Sequence, residues 1–156
     1  MTADTFLSYF SERRFIRDLR ARSKEGVLGE MCRALAEDGE IRDPNVLLEM
    51  IRRRESLGST GLGKAVAVPH GRSTAASDTR VIFALSRKGI DFEALDGEPC
   101  HIFFMIVAPY DDVRHEYLPL LGKIVEIVSD DAVREQLMGA DSFDAFQAVI
   151  REALGE

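Results

Sequence analysis

The sequence predicts an α/β sandwich, a buried sheet with helices packed around it. Three observations carry that class: helix-period apolar stripes in the first third, short apolar runs of strand character in the middle, and helix-period stripes again in the last third. Strand directions are left open by this order, and mixed directions are compatible with it.

Taken along the chain, the opening MTADTFLSYFSERRF lacks a continuous hydrophobic region followed by a small-residue cleavage site, so it reads as folded structure or a short ordered arm. Phe15 to Leu19 is a candidate strand. From Ser23 to Glu37 the residues Val27, Leu28, Met31, Ala34 and Leu35 fall on one helical stripe, with Gly39 beyond as a stop. A second helix opens with Asp43 as cap and Pro44 in the first turn, where a fixed φ suits the helix, and it ends near Ser56 to Gly58. Ala65–Val68, Val81–Leu85 and His101–Ala108 are rich in β-branched or aromatic residues and read as strands. The last of these is apolar on both faces, which places it centrally. Leu118, Leu121, Val125 and Val128 mark one later helix, which Pro119 forces to begin late or to kink. Phe143, Phe146, Ile150 and Leu154 mark the final one, capped by Asp141 or Ser142.

The chain has 156 residues, a length that suits one domain (1–156), and 46% apolar residues suffice for one core of that size. A net charge of −7 disfavours general affinity for nucleic acid or anionic membrane, because a polyanion is repelled. Two cysteines, Cys32 and Cys100, make no disulfide framework, and no apolar run is long enough to span a bilayer, so the expected compartment is the cytoplasm. The three histidines and two cysteines lack metal-ligand spacing, so a metal site is not expected; no other cofactor is expected either.

The richest segment is Arg54 to Arg72, RESLGSTGLGKAVAVPHGR. Gly58, Gly63 and Lys64 have the spacing of a phosphate-cradling loop, but Ala65 stands where a magnesium-binding hydroxyl belongs, and the segment runs helix, loop, strand instead of strand, loop, helix. Nucleotide binding is therefore set aside. Ser59, Thr60 and the loop amides remain able to donate to an anion. Pro69 ends the apolar run and Gly71 permits a sharp turn, so His70 is expected to project at a strand's carboxyl end, where α/β folds place chemistry. A neutral imidazole offers a nitrogen lone pair near neutral pH and attacks phosphorus without a separate base. The alternative is an incidental turn histidine. Arg52, Arg53 and Arg54 read first as a solvated helix end favouring the dipole; Arg54, beside the glycine loop, is the exception, since a guanidinium fork matches phosphoryl oxygens. His115 follows the last apolar strand and meets His70 at one sheet edge if the two strands run the same way; otherwise it is a surface residue. His101 and Cys32 read as structural.

These residues resemble a known family. GSTGLGKAVAVPHGR with Arg54 before it, GIDFEALDGEPC in the middle and His115 after the apolar strand are similar to the enzyme IIA domains of the fructose and mannitol class (type 2) in the bacterial phosphoenolpyruvate-dependent phosphotransferase system, most of all the stand-alone nitrogen-related member. The resemblance spans about Phe6 to Ile150 and implies a mixed β-sheet of about five strands flanked by helices on both faces. It implies that His70 accepts a phosphoryl group from phosphohistidine on HPr or its nitrogen-related counterpart, with Arg54 and His115 around that group. Ser59, Thr60, Gly71 and Arg72 are expected as further phosphate-contacting positions, with Arg72 open to contacting either the phosphate or the partner protein. Downstream it implies regulatory target proteins or a IIB domain of a sugar permease; with no IIB, HPr or membrane segment fused, regulation is the expected use. A binding module that never carries phosphate is the reading of a different class.

Overall fold

The computed structural model describes residues 1–156. In chain order it contains α1 (Ala3–Leu7), a 3₁₀ turn (Glu12–Arg14), β1 (Phe15–Ile16), α2 (Lys24–Glu37), α3 (Pro44–Ser56), β2 (Gly61–Gly63), β3 (Val66–Ala67), β4 (His70–Ser73), β5 (Arg80–Ile90), β6 (Cys100–Pro109), α4 (Tyr117–Val128), α5 (Asp131–Met138) and α6 (Phe143–Ala153). The sheet has six strands, ordered β1-β5-β6-β3-β2, with β4 also paired to β6. It is mixed: β6 runs antiparallel to β5 and parallel to β3 and β4, β1 is parallel to β5, and β2 is antiparallel to β3.

Helix ends follow the local chemistry. Ser23 and Ser142 accept from the amides of Gly26 and Ala145, and Asp43 accepts from Asn45 and Val46 with Pro44 in the first turn. Of the two residues expected to cap the final helix, Ser142 does so. Pro119 neither delays nor kinks α4. It falls in the first turn, where amides have no intrahelical acceptor and a missing N–H forfeits nothing.

Side-chain alternation along β5 and β6 divides the core in two. Val81, Phe83, Leu85, Ile102, Phe104 and Ile106 face one side, under α1, α4, α5 and α6; Ile82, Ala84, Phe103, Met105 and Val107 face the other, under α2 and α3. Helices thus cover both faces. On the first side Phe146 is fully buried and its ring centroid lies 4.4 Å from Phe83 and 5.2 Å from Phe10, which ties α6 to the sheet and to the N-terminal arm. That arm is further held by Arg14, buried, whose guanidinium donates to Tyr9 O at 3.1 Å and pairs with Asp38.

The middle strands extend beyond their predicted limits, and the predicted strand at 65–68 differs in kind. It is interrupted at Val68 and Pro69 and resumes as β4. Because Val66–Ala67 and His70–Ser73 keep the same offset against β6, β3 and β4 are one strand path with a break in it.

Phe146→Ala is expected to lower unfolding free energy by about 3–5 kcal/mol, from lost burial plus a cavity among five aromatic neighbours. Chemical denaturation measures it; a loss below about 1 kcal/mol would show that α6 is not pinned through this ring.

Candidate functional site

His70 stands at the break. Its partner on β6 is Ile106, three residues short of that strand's end, so the imidazole does not leave from the carboxyl end of the sheet as the sequence suggested. Pro69 pauses the strand without ending it: its carbonyl still accepts from Ile106 N–H at 2.9 Å, while the ring nitrogen donates nothing. Gly71 is also not a turn. It lies within β4, and a Cβ there would come within 3.2 Å of Ile51 Cδ1, so the missing side chain lets α3 approach the strand.

The imidazole is half-buried, and its Nδ1 lies 2.7 Å from Val68 O. A carbonyl only accepts, so Nδ1 carries the hydrogen and Nε2 keeps the lone pair. Why that carbonyl is free can be traced to Glu55. The register pairing Gly61 with Ala67 sets Thr60 opposite Val68, and Val68 N–H donates to Thr60 O at 3.0 Å. A continued antiparallel ladder would return Thr60 N–H to Val68 O. Instead Thr60 N–H lies 3.2 Å from both oxygens of the buried Glu55 carboxylate, which also accepts from the Thr60 hydroxyl and pairs with Lys24 Nζ at 2.8 Å. Val68 O is thereby left to the imidazole.

Burial is the strongest influence on the His70 proton, and it holds the ring below the ordinary histidine range by disfavouring the charged form; the Val68 hydrogen bond acts upward, the Arg54 charge downward and Glu55 upward. Arg54, half-buried in the last turn of α3, donates from Nη1 to Gly58 O at 3.0 Å. That single bond leaves most of its fork unclaimed. Arg72 is exposed in β4, its guanidinium 6.0 Å from the Tyr110 ring centroid.

Ser59 and Thr60 spend their hydroxyl hydrogens inside the fold, on Phe92 O at 2.7 Å and on Glu55, so they brace the loop and are not free anion donors. The segment around DFEALDG completes the brace: Leu95 N–H donates to Gly61 O at 3.1 Å and Lys64 N–H to Asp96 Oδ2 at 2.9 Å. Gly61 is required there, since a Cβ would fall 2.8 Å from Ala94 Cα.

His70 and His115 do follow strands that run the same way, β4 and β6. Yet the ring beside His70 belongs to Tyr117, with centroids 5.8 Å apart and planes tilted by 55°. His115 is exposed in the preceding turn at φ +53°, its N–H donating to Asp112 O at 2.9 Å, and no ring packing or hydrogen bond joins it to His70. The reason is where α4 begins: Asp112 accepts from the amides of Glu116 and Tyr117, which makes Tyr117 the first helical residue and leaves His115 outside. Neither Tyr117 nor Glu55 was singled out from the sequence. One aromatic at a helix start carries no periodic signal, and a glutamate beside three arginines reads as solvated.

Cys32 and Cys100 are buried, and burial pushes their thiols up to about 12 and about 11, so both are protonated and unreactive near neutral pH. His101 is half-buried, with Nδ1 2.8 Å from Ser86 O, a structural place. No helix is long and apolar enough to cross a membrane.

A half-buried neutral imidazole with one nitrogen fixed and a guanidinium nearby suits nucleophilic attack at an anionic centre. Known proteins share this chain's sequence pattern and fold. The chain is 33% identical over 135 residues to the fructose-specific EIIABC component of Bacillus subtilis, matching 86% of this chain but only 21% of that larger protein. It is 31% identical over 132 residues to the fructose-specific EIIA component of Haloferax volcanii, covering 85% of each. The crystal structure of nitrogen regulatory protein IIA-Ntr from Neisseria meningitidis superposes with a TM-score of 0.85 at 29% identity, covering 92% of this chain and 97% of that one. The family model described as phosphoenolpyruvate-dependent sugar phosphotransferase system, EIIA 2, matches residues 8–153, and the chain belongs to that family.

Proposed function

We propose that this chain is a phosphoryl carrier in which His70 accepts the group from phosphohistidine on HPr or its nitrogen-related counterpart, and that it serves as a regulatory component. The observation that carries the reading is the Nδ1 contact to Val68 O, which leaves Nε2 as the attacking atom. The Nε2 lone pair forms a new N–P bond as the donor's N–P bond breaks and its electron pair returns to the donor imidazole. No proton needs to move. The hydrogen stays on Nδ1, donated to Val68 O, and that bond strengthens as the ring gains positive charge. Transfer between nitrogens passes through a loose transition state with charge spread over three oxygens, so the protein supplies alignment and positive field, here from Arg54, with Arg72 nearer the rim.

Two uses of the carried group stand side by side. Likeness to a nitrogen regulatory IIA favours a regulatory role, in which the phosphorylation state governs binding to target proteins. Likeness to fructose-specific components favours passing the group to a IIB domain. Transfer from the labelled chain to a fructose- or mannitol-type IIB separates them.

Incubation with phosphoenolpyruvate, enzyme I and HPr is expected to place acid-labile phosphate on His70, and His70→Ala to abolish it; label persisting in that variant rejects the assignment. Arg54→Ala should slow transfer about 100-fold with the unfolding transition unchanged, the scale for losing one donor to developing anionic charge. An equal rate removes Arg54 from the site. In an NMR titration the His70 ring should release its proton below about 6.5, since burial lowers its pKa and so keeps the neutral, attacking form present to lower pH than for a free histidine. A midpoint above that value contradicts the buried, neutral nucleophile.

A further inference from the structure

We infer that the Tyr117 hydroxyl is a hydrogen-bond donor to the phosphoryl group on His70, taking the place beside that group where a second imidazole was expected. The inference rests on His70 as the acceptor and adds a third contributor to the site.

Three observations bear on it. The Tyr117 ring packs beside the imidazole at 5.8 Å between centroids, half-buried, and is in contact with the core under α4. Its position is fixed at the first residue of α4: Asp112 holds the amides of Tyr117 and Glu116 at 3.3 and 3.1 Å, and Glu116 is tied to the N-terminal arm by accepting from the Tyr9 hydroxyl. Finally, unlike the Tyr9 hydroxyl, the Tyr117 hydroxyl has no partner within the chain, yet it lies in the field of both Arg54 and Arg72. A half-buried phenol packed beside the imidazole, left without a partner and under the influence of two arginine charges, is suited to an anion carrying several acceptor oxygens.

The phenol also stays a donor. Burial is the largest influence on it and pushes it up to about 12, against the lowering effect of the two arginines, so it keeps its proton throughout the neutral range. In the transfer step Tyr117 gains and loses no proton: Nε2 bonds to phosphorus, the donor nitrogen takes back its electron pair, and the phenol O–H shortens its contact to an equatorial oxygen as charge gathers there. An imidazole in the same place would change charge near neutral pH; a phenol does not.

The test uses the full chain, wild type and Tyr117→Phe, phosphorylated by phospho-HPr and separately by phosphoramidate, a small donor that needs no docking surface. Tyr117→Phe keeps the ring and removes only the hydroxyl. It is expected to accept phosphate roughly 10- to 100-fold more slowly from both donors, with an unchanged unfolding transition. The ³¹P resonance of the phosphohistidine is expected to move, which a merely structural ring would not cause, and Tyr117→His, restoring a donor, is expected to recover at least a tenfold part of the rate. A wild-type chain labelled at His70 with an unchanged rate and resonance in Tyr117→Phe overturns this inference alone. A wild-type chain that stays unlabelled at His70 overturns the carrier reading and this inference with it.

Discussion

The site depends on one redirected hydrogen bond. Had Thr60 N–H completed the β2–β3 ladder, the His70 ring would have had to share Val68 O, which it now holds at 2.7 Å. Glu55 prevents this by holding the amide and hydroxyl of Thr60 at the end of α3, and Lys24 from α2 compensates the buried charge. A carboxylate out of water is costly unless its oxygens are satisfied, and here two donors and a cation satisfy them. The cost is offset at the point where the imidazole's orientation is set. Arg54 and Glu55, adjacent in sequence, thus both act on His70: their charges shift its proton in opposite directions, and Glu55 also acts through the backbone by engaging Thr60.

Much of the fold was legible because its signals are periodic. The stripe Val27, Leu28, Met31 and Leu35 buries as expected, and His101–Ala108 is the central, doubly covered strand. Missed were α1, the three-residue β2 and α5. Each is short, and a few residues cannot display a period; β2, reading Gly61 to Gly63, carries no β-branched residue at all. Its existence follows from pairing with β3 and from the loop that covers it, both long-range.

The site was legible where chemistry sits in the residue type and illegible where it depends on direction. His70 and Arg54 come close enough for the arginine to act on the ring's proton, in keeping with their place at either end of one short segment. Ser59 and Thr60 have the right groups, but their hydrogens point inward, which composition does not reveal. His115 shows the same limit more sharply. A two-residue difference in where a helix starts decides which ring faces His70, and that start is set by the Asp112 side chain, not by any apolar pattern.

The broken strand has a mechanical consequence. Either side of Pro69 the chain is clamped to β6 in one continuous register, and Gly71 is wedged beneath Ile51. Backbone held at both ends has little freedom to shift around His70. Under the proposed carrier role, a visitor to this surface would meet the same contour in either state, distinguished by a local patch of negative potential, so that recognition would turn on electrostatic sign and not on a moving part.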